Sequence, residues 1–250
     1  MVARSALSAA LASLIWLQST QTIALRGHQQ TLHLYGPTNG RPIIVSSGDG
    51  GWVHLGPHVA ALLAGRGFYV VGFDVKAYLV SFTAARSTLA VADEPADYRV
   101  LAQFARQVTG RKPILIGVSE GAGLSVLAAT DPQTQSAITG VVGLGLPDLN
   151  ELGWRWKDEL IYVTHRVPAE PTFSAAAIVG HVAPVPLAVI QSTHDEFVPA
   201  ADVERIFARA AEPKRLWTVK AADHRFSDNL AEFDRRLLEA IDWIDAHAPR

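Results

Sequence analysis

The 250-residue sequence predicts a single α/β domain, with a mostly parallel sheet covered by helices on both faces. Three observations carry this. Short, nearly continuous apolar runs recur at strand length, as expected for strands buried on both faces. Segments of helical periodicity separate them, in the alternation that builds crossover units. No repeat, low-complexity tract or Gly/Ser linker interrupts the pattern.

TLHLYGP (31–37) alternates as a half-buried strand, and PIIVSSG (42–48) is short, β-branched and apolar. HVAALLAGRG, after Pro57, has the spacing of an amphipathic helix stopped by glycines. FYVVGFD (68–74) is the next buried strand. Residues 94–109 open with acids and a proline, then space Tyr98, Leu101, Phe104 and Val108 along one helical face. KPILIGV reads as a strand and GAGLSVLAAT as the helix beyond a tight turn. Strands follow at 137–147, 186–193 and 215–222, and helices at about 200–210 and 226–247. Residues 148–185 break the rhythm. They carry Trp154, Trp156, Tyr162 and several prolines, and read as an insertion or small cap before the strand at 186–193.

Composition narrows the chemistry. The formal net charge is -2 with no block of like charge, which speaks against nucleic acid as a partner. The chain has no cysteine, which excludes disulfides, thiolate metal sites and cysteine nucleophiles. At the N-terminus, MVAR and the apolar SALSAALASLIWL resemble a secretory signal, with Thr22-Ile23-Ala24 as a small-x-small cleavage motif. This divides the chain into a signal segment over 1–24 and one domain over 25–250, exported to the periplasm or secreted. The competing reading is a packed N-terminal helix in a cytoplasmic protein.

ILIGVSEGAG (114–123) sets Ser119 in G-x-S-x-G between a strand and a helix, where a sharp turn would present the hydroxyl. A serine needs a base, and the base an orienting acid. STHDEFVP (192–199) places Asp195 after one strand, and AADHRFSD (221–228) places His224 after the next. The order Ser, Asp, His, each at the carboxyl end of a strand, makes the three a candidate triad. Asp223, beside His224, reads as structural. His33 falls in an alternating strand, His165 and His181 in the insertion, and His247 in the tail. For an oxyanion hole, one backbone N–H would come from Glu120. The other would come from Asp49 or Gly50 in SSGDGGW (46–52). A phosphate-binding P-loop there lacks the required G-K-[ST].

These motifs resemble the α/β-hydrolase superfamily over nearly the whole chain after residue 30. More narrowly they resemble the VirJ-type bacterial virulence and acid-virulence proteins. SGDGGW (47–52), VVGFDVKAYLVSF (70–82), the serine elbow and PLAVIQSTHDEFVP (186–199) carry the likeness. The resemblance implies an α/β-hydrolase fold and a periplasmic serine hydrolase without cofactor or metal. Its substrate would be a small-molecule or lipid ester such as lysyl-phosphatidylglycerol, with peripheral contact to membrane lipid. The chain departs from the family pattern at Glu120, where an aromatic is usual, and at Gly123, where an aspartate is usual.

Trp52, Asp49, Glu120 and Trp154 are candidate substrate contacts. A carboxylate about 5 Å from a forming oxyanion would cost roughly 3 kcal/mol at an effective dielectric near 20. Asp49 and Glu120 therefore either turn away or face a cationic substrate group. Two other function classes compete. One is a non-catalytic binding protein of the envelope or of secretion on a hydrolase fold. The other is a metal hydrolase using His54 and His58, which Gly56, Pro57 and the missing H-E-x-x-H argue against. The sequence does not specify an oligomeric state.

Overall fold

The computed structural model describes residues 19–84, 87–155 and 170–249. The central strands are apolar because both their faces are covered. β3 (Pro42–Ser46), β4 (Tyr69–Phe73), β5 (Ile114–Val118), β6 (Gly140–Leu144) and β9 (Leu187–Ser192) are buried at every residue. With β10 (Lys214–Val219) they pair in parallel. β1 (Ser19–Leu25) and β2 (His28–Tyr35) add an antiparallel edge, giving the order β1-β2-β4-β3-β5-β6-β9-β10.

One face of the sheet packs under α1 (Leu55–Ala64) and α8 (Leu230–His247), through Val59, Leu63, Phe233, Leu237 and Ile241. The other packs under α2 (Val75–Phe82), α3 (Glu94–Thr109), α4 (Glu120–Ala128) and α7 (Ala200–Arg209), through Tyr78, Leu101, Leu124 and Ile206. Ile43 and Ile44 point to opposite faces and both are fully buried, each contributing roughly 1.5–3 kcal/mol of burial.

Three helices were not anticipated from the sequence, a short one at Ala175–Ile178 and two that open on aspartate caps. α2 starts where Asp74 caps its first turn by accepting from Ala77 N (3.0 Å), and α5 (Pro132–Ala137) where Asp131 accepts from Thr134 N (2.8 Å). α1 begins earlier than expected, taking in Pro57 in its first turn. The apolar stretch at residues 1–18 lies outside the described residues. Residues 19–24, grouped with it by sequence, are in β1, where Thr22 opposes Thr31, so a cut after Ala24 would remove most of that strand.

Within 148–185, β7 (Leu149–Glu151) and β8 (Thr172–Ser174) form a separate antiparallel ribbon, followed by α6 (Ala175–Ile178) and a 3-10 turn. Trp156, Tyr162 and His165 fall outside the described residues.

A polar seam runs beneath the carboxyl ends of the strands. Arg26 and the Tyr78 hydroxyl both donate to Asp97 (2.7 and 2.6 Å), and the Tyr98 hydroxyl donates to Ser46 Oγ (2.9 Å). Glu94, in the first turn of α3, is fully buried there with neither carboxyl oxygen bonded among the described residues. Burial, with the charge of Asp97, pushes its carboxyl well above the usual range.

Candidate active site

Ser119 joins β5 to α4 with φ 51 and ψ -117, a conformation that costs a non-glycine residue roughly 1–3 kcal/mol. The neighbouring helix and strands hold it there. Ser119 N donates to Leu144 O (2.9 Å) at the end of β6. A Cβ at Gly117 would meet Gly121 O at 2.1 Å, and one at Gly121 would meet Ser47 O at 2.3 Å. The motif glycines thus let strand, helix and the loop after β3 touch backbone to backbone.

The loops after β9 and β10 bring the acid and base together. His224 Nδ1 lies 2.6 Å from Asp195 Oδ2, with the carboxylate side chain 1% exposed. Asp195 Oδ1 accepts from Phe197 N and Val198 N (3.0 and 2.8 Å), and Gln191 Nε2 donates to Oδ2 (2.8 Å). Burial opposes ionisation of Asp195, yet the bond from His224 and those from the Val198 and Phe197 N–H groups hold it below the usual carboxylate value. Glu196 accepts from His224 N (2.8 Å), and the Phe197 ring stands edge-on to the imidazole at 5.6 Å. His224 Nε2 is buried without a hydrogen-bond partner among the described residues. The ring lies against Gly145, where a Cβ would meet Cε1 at 2.5 Å, and Gly145 follows the residue that receives Ser119 N.

The glycine loop after β3 completes the wall. Ser47 is tied by its N–H to Phe73 O and by its hydroxyl, which accepts from Val75 N (both 3.0 Å). A Cβ at Gly48 would sit 3.4 Å from Ser119 Cβ. Gly51 N donates to Gly48 O (3.0 Å), which leaves the Asp49 and Gly50 N–H groups without a protein acceptor among the described residues. Glu120 N, at the first position of α4, lacks an intrahelical acceptor.

Two of the residues named as candidate substrate contacts are engaged by the fold itself. Trp52 turns onto the sheet: it stacks on His33 (5.0 Å, 8°), donates from Nε1 to the Tyr35 hydroxyl (3.2 Å), and covers Gly72. It anchors the glycine loop, because the indole fits a slot that only glycine at 72 leaves open. Glu120 turns away from the cleft: it is 7% exposed, and its Oε1 accepts from Glu151 N of β7 (2.7 Å). Burial, with the nearby charges of Asp49 and Glu151, pushes its carboxyl well above the usual range. Gly123 serves the same ribbon, since a Cβ there would lie 1.7 Å from Asn150 Oδ1.

Asp49 stays half-buried on its loop, and Lys76 lies over the Trp154 ring at 4.0 Å. Asp223 accepts from Arg225 N and Ser227 N and so shapes its own loop. His58 bonds Asp234 (2.7 Å), and no cluster able to hold a metal ion occurs among the described residues.

The profile described as "Bacterial virulence protein (VirJ)" matches residues 41–155. The chain resembles the VirJ proteins. The match spans the glycine loop and Ser119 but ends before Asp195 and His224. No curated protein matches this chain. Among solved structures, the α/β hydrolase GrgF from Penicillium sp. sh18 is 15% identical with a TM-score of 0.68, over 93% of this chain and 99% of that one. The Pyrococcus furiosus esterase Pf2001 is 16% identical, TM-score 0.68, over 91% of each chain. Est1E from Butyrivibrio proteoclasticus is 13% identical, TM-score 0.66, over 91% and 99%. Identities this low establish the fold alone, and that fold is the α/β-hydrolase fold.

Sequence reasoning missed Gln191, the bond from His224 N to Glu196 and the His33–Gly72 seat of Trp52. A glutamine inside the apolar run LAVIQS was the one signal available for the first.

Proposed function

We propose that the chain is a serine hydrolase that cleaves carboxylic esters through an acyl-enzyme on Ser119. The observation that carries this is the Asp195–His224 bond, which leaves Nε2 buried and unbonded on the wall it shares with the strained serine turn. In this reading Ser119 Oγ attacks the ester carbonyl and His224 Nε2 takes its proton. The N–H groups of Glu120 and of Asp49 or Gly50 receive the oxyanion. As the C–O bond breaks, the imidazolium returns the proton to the leaving alcohol. Water then attacks the acyl-enzyme with His224 again as base, restoring Ser119.

The substrate class we favour is a lipid or aminoacyl ester carrying a cationic group, lysyl-phosphatidylglycerol being one such molecule. Asp49 and Glu151 supply carboxylates beside the nucleophile helix. Val53 and Phe197, on the loops after β3 and β9, and Leu149, at the start of β7, are exposed apolar residues suited to an acyl chain or lipid surface. The esterase titles of the structural neighbours and the virulence-family profile support the same reading, and the N-terminal apolar stretch supports export to the periplasm.

Fluorophosphonate labelling of wild type, lost in Ser119→Ala, tests the nucleophile. Folded wild type that does not label points instead to the binding role in the envelope. A panel pairing a lysyl ester with a neutral ester of equal size, on lipid and on soluble alcohols, tests the substrate. Equal rates across the charge pair would refute the cationic preference.

A further inference from the structure

We propose that Gln191 is a positioning residue of the active site, its carboxamide fixing the Asp195 oxygen that orients His224. The inference rests on the reading of Ser119 and His224 as nucleophile and base. β9 is buried at all of its residues, and Gln191 is 4% exposed within it. Burying a carboxamide is unfavourable unless its groups are bonded. Gln191 satisfies only half of that requirement: Nε2 donates to Asp195 Oδ2 at 2.8 Å, while Oε1 is buried with no partner among the described residues. Its one side-chain hydrogen bond therefore goes to the oxygen that receives His224 Nδ1.

The carboxylate is held by four donors. Two backbone N–H groups, of Phe197 and Val198, take Oδ1; Gln191 and His224 share Oδ2. Without Gln191, Oδ2 would be held by the imidazole alone. The negative charge that Oδ2 now shares with the Gln191 amide would then fall on the imidazole alone. That favours the protonated ring, which cannot accept the serine proton. The charged groups bonded to His224 are Asp195, at Nδ1, and Glu196, at the backbone N–H, both from the loop after β9; Asp223 and Arg225 flank it in its own loop, where Asp223 accepts from Arg225 N. Glu120, on the nucleophile helix, is turned to β7. A residue kept only for stability would be leucine or methionine here, since either avoids the unbonded carbonyl.

The experiment compares wild type, Gln191→Leu and Gln191→Met. It measures the rate of fluorophosphonate labelling from pH 5 to 9, the NMR titration of the His224 ring, and Tm. The expected result is a labelling midpoint shifted upward by roughly 0.5–1 pH unit in both variants, the ring titration moving the same way, and Tm unchanged or raised. Superimposable pH profiles, or a loss of Tm in both variants, would overturn the proposal. If wild type shows no Ser119-dependent labelling, the hydrolase reading fails by itself. The ring titration needs no activity and still decides whether Gln191 acts on His224, an unmoved titration counting against it.

Discussion

Replacing Gly72 by alanine tests whether the glycine loop is held in place from behind by Trp52. The new Cβ would lie 2.3 Å from both Cη2 and Cζ2 of the indole and 3.0 Å from Cζ3. Ordinary contact begins near 3.4 Å, so the ring must retreat by about 1 Å. It has little freedom to do so. His33 stacks on one face, Tyr35 receives Nε1, and β4 lies inside the sheet with Gly72 paired to His33 and Val45. The movement passes along the chain to the loop ending at Trp52, where Gly48 to Gly51 close their turn. Oxyanion donors act only when about 2.7–3.1 Å from the charge, and losing one costs about 10²–10³ in kcat, or roughly 2.7–4 kcal/mol. Gly72→Ala should therefore lower kcat on a small neutral ester by about 10²-fold, with KM changed by no more than a few-fold. Trp52→Phe removes the ring atoms that clash, so the double variant should recover part of the loss, a coupling read from a double-mutant cycle. Hydrolysis kinetics with a Tm for each variant is the assay. A folded Gly72→Ala protein with kcat within about threefold of wild type would refute the reasoning.

Asp195→Asn should keep the fold but present the wrong imidazole tautomer to Ser119, lowering the fluorophosphonate labelling rate on the order of 10⁴-fold; a loss under tenfold would count against the triad. Glu120→Gln should leave the labelling rate within a few-fold, because burial disfavours the charge of the carboxyl and the amide carbonyl can still accept from Glu151 N; a large loss would mean that the carboxyl faces the substrate. Glu94 and Glu120 both have folded-state values raised above the unfolded ones. The stability they contribute is complete below the unfolded carboxyl range and is lost as pH rises through the raised values. Glu94→Gln should remove up to one proton's worth of this slope, about 1.4 kcal/mol per pH unit, from urea unfolding followed between pH 5 and 8; an unchanged slope would show that Glu94 ionises freely.

The alternation of apolar strands with amphipathic helices was legible because both periodicities are local, and so were G-x-S-x-G and the placement of Asp195 and His224 after consecutive strands. Those motifs depend on backbone geometry and chain order, which sequence records directly. The side-chain directions were not legible. Trp52 and Glu120 were read as substrate contacts because they flank the glycine loop and the serine. One faces the sheet and the other faces β7. What turned them is distant in sequence: the space left by Gly72, the His33 ring, and the Glu151 N–H. Gln191 was overlooked for the same reason, since the partner of its side chain is set by a loop beyond the end of its strand.

The sequence by itself determined the fold class, the order of the three candidate catalytic residues and the glycine loop, because each follows from periodicity or from a short motif. Only the tertiary structure decided how the site is held: which carboxyls are buried, which oxygen of Asp195 meets His224, and what seats Trp52. Burial and charge depend on atoms brought together from β2, β4, β7 and β9, and no local window of sequence contains them.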